Sequence, residues 1–206
     1  MLFEDRADAA RQLAAALMPY RGHRPLVLGL PRGGVPMARI IADALDGDLD
    51  VLLVRKLCAP GQRELAIGAV GESGAVVRNE DFDDVAGDYV QEEIAEELAL
   101  IRRRRVLYSG VHPPIDPAGR IVIVVDDGIA TGASMVAAVR AVRERRPATV
   151  VVAVGVAAPS SLALVGAEAD DIVCLHAPPG FVAVGAFYRD FSEVSDTMVT
   201  AALAGG

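Results

Sequence analysis

The stretch Val122–Met135, VIVVDDGIATGASM, holds the decision about the fold. A run of β-branched residues ends in two carboxylates, Asp126 and Asp127, and small and hydroxyl residues then lead into a helical pattern. A short continuous apolar run followed at once by a helix reads as a strand of a parallel sheet, buried on both faces. In open α/β sheets ligands bind beyond the carboxyl ends of the strands, so the doubled acids stand where chemistry is expected. The segment Gly128–Ser134 reads in two ways. Its small residues let backbone N–H groups approach an anion at the positive end of the next helix, with Thr131 and Ser134 adding hydroxyl donors. The plainer reading is a tight turn with a hydroxyl N-cap. A phosphorylated sugar reconciles the acids with an anion loop, because its hydroxyls donate to carboxylates while its phosphate reaches the loop. Neither the Gly-x-x-x-x-Gly-Lys-Ser/Thr nor the Gly-x-Gly-x-x-Gly phosphate loop is present.

Strands and helices alternate on either side of this stretch. Apolar spacings of three and four (Phe3, Ala7, Ala10, Leu13, Leu17) predict a helix over Leu2–Met18. A strand at Pro25–Leu30, closed by Pro31-Arg32-Gly33-Gly34, precedes a helix from Val35 to Leu45 and a second strand, Leu49–Lys56. A loop then leads into a hairpin turning at Glu72-Ser73-Gly74. The long helix Asp88–Tyr108 is acidic at its start and basic at its end, which complements its dipole, and Arg102–Arg105 reads as a solvated helix end. The third strand is Arg120–Asp126, followed by a helix over Gly132–Arg145 and a fourth strand, Thr149–Val156. A short helix opened by Pro159-Ser160-Ser161 leads to the fifth, Asp171–Leu175. This order predicts an α/β fold with an open, mostly parallel five-stranded sheet flanked by helices. The core is expected over 1–175, with a lid or hairpin insertion at about 59–79. The aromatic-rich tail, 176–206, is expected as a small hood with a terminal helix.

Composition bounds the function. Hydrophobic residues make up 52% and aromatics 4%, with no Trp, so the core is aliphatic. A net charge of −8 argues against a general nucleic-acid binder. Cys58 and Cys174 lack metal-ligand spacing and read as small buried thiols, and His23, His112 and His176 form no cluster. The N-terminus lacks a signal peptide's pattern and no apolar run is long enough for a bilayer, so a soluble cytoplasmic protein is expected.

VVDDGIATGAS, with the strand order, the PRGG loop, the hairpin insertion and the aromatic tail, resembles the type I phosphoribosyltransferase family. The likeness is to a bacterial subgroup whose acceptor is unassigned. The resemblance implies transfer of 5-phosphoribosyl from phosphoribosyl pyrophosphate to a nitrogenous acceptor, with Mg²⁺, and a homodimer. It implies that Asp126 and Asp127 hold the ribose hydroxyls and, partly through water, Mg²⁺. Gly128, Ile129, Ala130, Thr131, Gly132, Ala133 and Ser134 would cradle the 5-phosphate. Pro31, Arg32, Gly33 and Gly34 would form the pyrophosphate loop with a cis peptide, and Lys56 would add a point charge for pyrophosphate. Asp126, Asp127, Arg32 and Lys56 are thus the candidate catalytic set. Arg63 and Glu64 are candidates to close the lid, and Phe181, Phe187, Tyr188 and Asp190 to meet a base under the hood. Those aromatics read equally as a satellite core or a dimer contact. Ala130 stands where 6-oxopurine members commonly carry an Asp, so a general base would come from Glu64 or Glu72. Two other classes remain open: a non-catalytic sensor of the same donor, and an unrelated Mg²⁺-dependent phosphohydrolase using the doubled acids.

Overall fold

The computed structural model describes residues 3–78, 80–109 and 114–205, without the side chains of Arg63, Glu64, Glu80 and Ser109. The lid candidates Arg63 and Glu64 therefore lie outside the described side chains, and His112 outside the described residues. The chain runs α1 (Arg6–Ala16), β1 (Leu26–Gly29), α2 (Gly34–Leu45), β2 (Asp48–Val51), β3 (Val54–Ala59), β4 (Gln62–Gly71) and β5 (Val76–Arg78). It continues through α3 (Gly87–Ser109), β6 (Ile121–Ile129), α4 (Ala133–Arg143), β7 (Thr149–Ala157), α5 (Pro159–Gly166), β8 (Asp171–His176) and α6 (Asp196–Ala204). Five strands form a parallel sheet in the order β2-β1-β6-β7-β8, and β3-β4-β5 form a separate antiparallel sheet.

Strand alternation divides the interior in two. On β6, Ile123 and Val125 join the core beneath α1 and α2, while Val122 and Val124 join the core beneath α4 and α5. On β7, Val151 and Ala153 go with the first set, and Val150, Val152 and Val154 with the second. Both faces are covered, which explains why these strands read as unbroken apolar runs. Helix α1 begins at Arg6 because the Asp5 carboxylate caps it, accepting the Asp8 N–H at 2.7 Å. Helix α6 lies on α2, where Arg39 Nε donates to the Ala202 carbonyl at 2.8 Å, satisfying a helix C-terminus.

Three sequence expectations change. The second strand, expected over Leu49–Lys56, is two strands in different sheets, so Lys56 belongs to β3 rather than to the end of a parallel strand. The insertion is mostly strand, with the hairpin turn at Glu72-Ser73-Gly74 where expected, closed by a Gly74 N–H to Gly71 carbonyl bond of 3.0 Å. Finally, β6 does not stop at Asp126: its pairing with β7 continues through Ile129, which puts both acids inside the strand.

Candidate functional site

The sheet reverses direction of growth at β1, which lies between β2 and β6. The chain beyond β1 and the chain beyond β6 therefore flank a crevice at the topological switch point. They are packed closely: the Leu30 N–H donates to the Val125 carbonyl at 2.9 Å, and a Cβ on Gly34 would lie 2.3 Å from that same oxygen. The Pro31–Arg32 peptide is cis, as the resemblance implies. Gly34→Ala would force backbone apart and is expected to cost about 1–3 kcal/mol in urea denaturation. An unchanged midpoint would show that the loop moves freely.

Two adjoining cavities open there. A cleft of about 940 Å³ is lined by Pro31, Lys56, Asp126 and Ser134, with Tyr89 and Glu93 of α3 on its far wall. A smaller cavity of about 180 Å³ is lined by Lys56, Asp126, Ser134, the Gly128–Gly132 segment and Val184 of the hood. Lys56, Asp126 and Ser134 line both. Gly132, at φ 85°, caps α4, and Gly132, Ser134 and Met135 bring the start of that helix, with its unpaired N–H groups, into the lining of the smaller cavity. The loop is pinned from behind: the buried Ser161 hydroxyl donates to the Ala130 carbonyl. The sequence pattern had given Ser161 only a helix-opening role.

Burial pushes the Asp126 carboxyl well above the usual carboxylate range, and the neighbouring Asp127 charge adds to that. The Asp127 N–H, donating to Asp126 Oδ1 at 2.9 Å, opposes it. Asp127 is also raised by burial, against the pull of Arg6, whose Nε donates to Asp127 Oδ2 at 2.9 Å. Asp126 lines both cavities; Asp127 lines neither.

The family model described as the phosphoribosyl transferase domain matches residues 2–191. The chain belongs to that family. A Mycobacterium tuberculosis H37Rv protein named "Putative phosphoribosyl transferase Rv0571c" is 44% identical over 208 residues, covering 98% of this chain and 46% of its own length. This chain thus spans about half the length of the curated relatives it matches. The crystal structure of TT1426 from Thermus thermophilus superposes with a TM-score of 0.90 at 47% identity, covering 99% of this chain and 98% of that one. A purine phosphoribosyltransferase from Pyrococcus horikoshii shares the fold alone, at 16% identity and a TM-score of 0.51, over 94% of this chain and 99% of that one.

Several of the residues expected at this site are placed elsewhere. The Arg32 guanidinium is engaged by Glu193 of the C-terminal segment, and Arg32 is absent from the lining of both cavities. Tyr188 is buried, and its hydroxyl donates to the Asp127 carbonyl at 2.7 Å, so it supports the strand end instead of meeting a base. Asp190 is exposed and spends its carboxylate on the Ser192 N–H and hydroxyl. Phe181 stacks on Phe187 with centroids 5.9 Å apart, and His176 meets Phe187 edge-on at 5.5 Å. The two Phe rings pack against the core beneath α1 and α2. Glu72 is gripped by Arg105, which removes it as a candidate base and shows that Arg105 is not a solvated helix end. Sequence reasoning missed the α3 wall, where Arg55 pairs with Glu97 beside the cleft, and it missed Arg6 and Glu193.

Proposed function

We propose that this chain binds phosphoribosyl pyrophosphate with Mg²⁺ and transfers the phosphoribosyl group to a nitrogenous acceptor, releasing pyrophosphate. One observation carries the reading: a lysine, a carboxylate and the start of a helix, at Lys56, Asp126 and Ser134, line both cavities at the switch point. The smaller cavity suits a phosphate monoester, held by the N–H groups of the Ala130–Gly132 turn and the Thr131 and Ser134 hydroxyls. Asp126 suits vicinal ribose hydroxyls as an acceptor, and the larger cleft leaves room for pyrophosphate near Pro31 and Lys56.

The donor set also fits Mg²⁺ arriving with its substrate. Magnesium takes hard oxygens, commonly one or two carboxylates completed by phosphate oxygens and water. Asp126 supplies such a carboxylate, and among the described residues no cluster of three His, Cys, Asp or Glu forms a resident cage. When bound, the ion would offset charge on the departing pyrophosphate. In the transfer, the acceptor nitrogen forms a bond to the anomeric carbon as the bond from that carbon to the pyrophosphate oxygen breaks. The ring gains oxocarbenium character, which the Asp126 carboxylate favours, and Lys56 stabilises the leaving charge.

The test is pyrophosphate release from phosphoribosyl pyrophosphate and Mg²⁺ across a panel of bases and amines. Acceptor-dependent release, lost in Asp126→Asn, supports the transferase. Tight binding with no release across the panel would make the chain a sensor of the donor. Absence of binding would sink the reading.

A further inference from the structure

The doubled acids look redundant, but their contacts separate them. Side chains alternate between the two faces from Val122 to Val125, and Ile129 packs again with Val122 and Val124, so the contacts of the acids themselves decide where each one faces. Asp126 shares its face with Val122 and Val124, above α4, where the cleft and the smaller cavity lie. Asp127 lines neither cavity and turns its Oδ2 toward Gly33, next to the start of α2, and toward α1. There it meets Arg6, the first residue of α1.

We propose that the pair divides its work: Asp126 alone faces the substrate, Asp127 is the counterion of Arg6, and Arg6 is a positioning residue for the site. The inference rests on the phosphoribosyl pyrophosphate reading above. Arg6 has the contacts of a keystone. Its Nε donates to Asp127 Oδ2 at 2.9 Å, its Nη1 donates to the Ser192 carbonyl at 2.8 Å, and its guanidinium carbon lies 3.8 Å from the centre of the Phe191 ring. Both partners of the ion pair are only 15% exposed. The Asp127 carbonyl is held by the Tyr188 hydroxyl, and a Cβ on Gly33 would lie 2.3 Å from Asp127 Oδ2. One guanidinium therefore joins α1, the end of β6, the hood segment after Phe187 and the loop beyond β1. For Asp127 to reach a ligand it would have to leave this packing and strand a mostly buried guanidinium without its counterion. The division also removes a conflict. With Asp127 neutralised internally, Asp126 is the one of the two acids that, among the described residues, has no ion-pair partner and faces the cavities.

The test is a calorimetric titration of phosphoribosyl pyrophosphate with Mg²⁺ into wild type, Asp126→Asn, Asp127→Asn, Arg6→Met, Arg6→Lys and the Arg6→Met/Asp127→Asn double variant, each with a melting curve. Asp126→Asn is expected to lose at least about tenfold in affinity, the effect of a charge-assisted bond. Asp127→Asn and Arg6→Met should each lose less, about threefold, and the double variant no more than the worse single one, because both act through one contact. Arg6→Lys should recover most of what Arg6→Met loses, since it restores the counterion. An Asp127→Asn loss as large as that of Asp126→Asn, adding in full to that of Arg6→Met, would overturn the division. So would a fall in melting temperature in Arg6→Met with affinity unchanged, which would leave Arg6 a packing residue. If Arg6→Met does not fold, Arg6→Lys replaces it in the same cycle. Failure of wild type to bind would instead remove the phosphoribosyl pyrophosphate reading itself, a different outcome from any contrast between variants.

Discussion

Asp126→Asn is expected to weaken ligand binding and strengthen the fold at once. On the proposed function, the ligand loses a charged acceptor for its ribose hydroxyls and an oxygen for Mg²⁺, worth at least about tenfold in affinity. The free protein gains, because burial and the Asp127 charge hold the Asp126 carboxyl well above its usual range. An acid raised in the folded state is a cost whenever it is ionised there. That cost is present above the raised folded value, shrinks as pH falls through it, and is gone below the ordinary value of an unfolded carboxyl. Asparagine keeps the shape and can still accept the Asp127 N–H, which Asp126 Oδ1 now accepts at 2.9 Å. A gain of about 1 kcal/mol is the usual scale for relieving a functional residue, and for a chain of this size it raises the melting temperature by about 2–4 °C. Melting curves in magnesium-free buffer should show the gain at neutral pH and its loss on acidification. A variant that melts lower than wild type at neutral pH would mean that Asp126 is satisfied in the free protein.

The same stretch shows how far the sequence could be read. The apolar run, the acids and the small-residue turn placed a strand, a turn that lines a cavity and a helix in the right order, since each rests on local chemistry. What they did not reveal was where β6 ends. Pairing with β7 decides that, and contacts far along the chain decide which way Asp126 and Asp127 face. The apolar stretch Leu49–Val54 showed no sign of a break, because two strands in different sheets and one continuous strand have the same alternation. Arg6 lies 121 residues from its partner, and no local pattern announces that contact. Arg105 is different. It stands four residues after Ile101 and three before Tyr108, both almost fully buried, so helical spacing put it on the inner face of α3. Reading the run Arg102–Arg105 as one charged block concealed that.

Arg105→Met is expected to be the most destabilising of these substitutions. Arg105 Nη1 donates to Asp50 Oδ1 at 3.1 Å, its Nη2 donates to the Val51 carbonyl at 3.1 Å, and the guanidinium also holds both oxygens of Glu72. Asp50 is 3% exposed, and its other bonds come from the Val51 and Ile115 N–H groups at 2.7 and 2.9 Å. Those amides donate one bond to each oxygen but supply no countercharge. Removing the guanidinium therefore leaves a buried carboxylate unpaired, which costs about 3–5 kcal/mol. That is a large share of a domain's ordinary stability of about 5–15 kcal/mol, and the melting temperature should fall by about 10 °C. Glu72→Gln is the contrasting case, because Glu72 is a third exposed and its pairing is screened, so its loss should cost no more than about 1 kcal/mol. Asp50→Asn combined with Arg105→Met should recover part of the single variant's loss, since the stranded charge is then gone. Equal melting temperatures for Arg105→Met and Glu72→Gln would show that Asp50 tolerates its burial alone. The network also bears on the site. It ties the hairpin tip of the β3-β4-β5 sheet to β2 and α3, and β3 carries Lys56 into both cavities. On the proposed function, Arg105→Met protein that remains folded should therefore bind phosphoribosyl pyrophosphate more weakly than wild type, although Arg105 lines neither cavity.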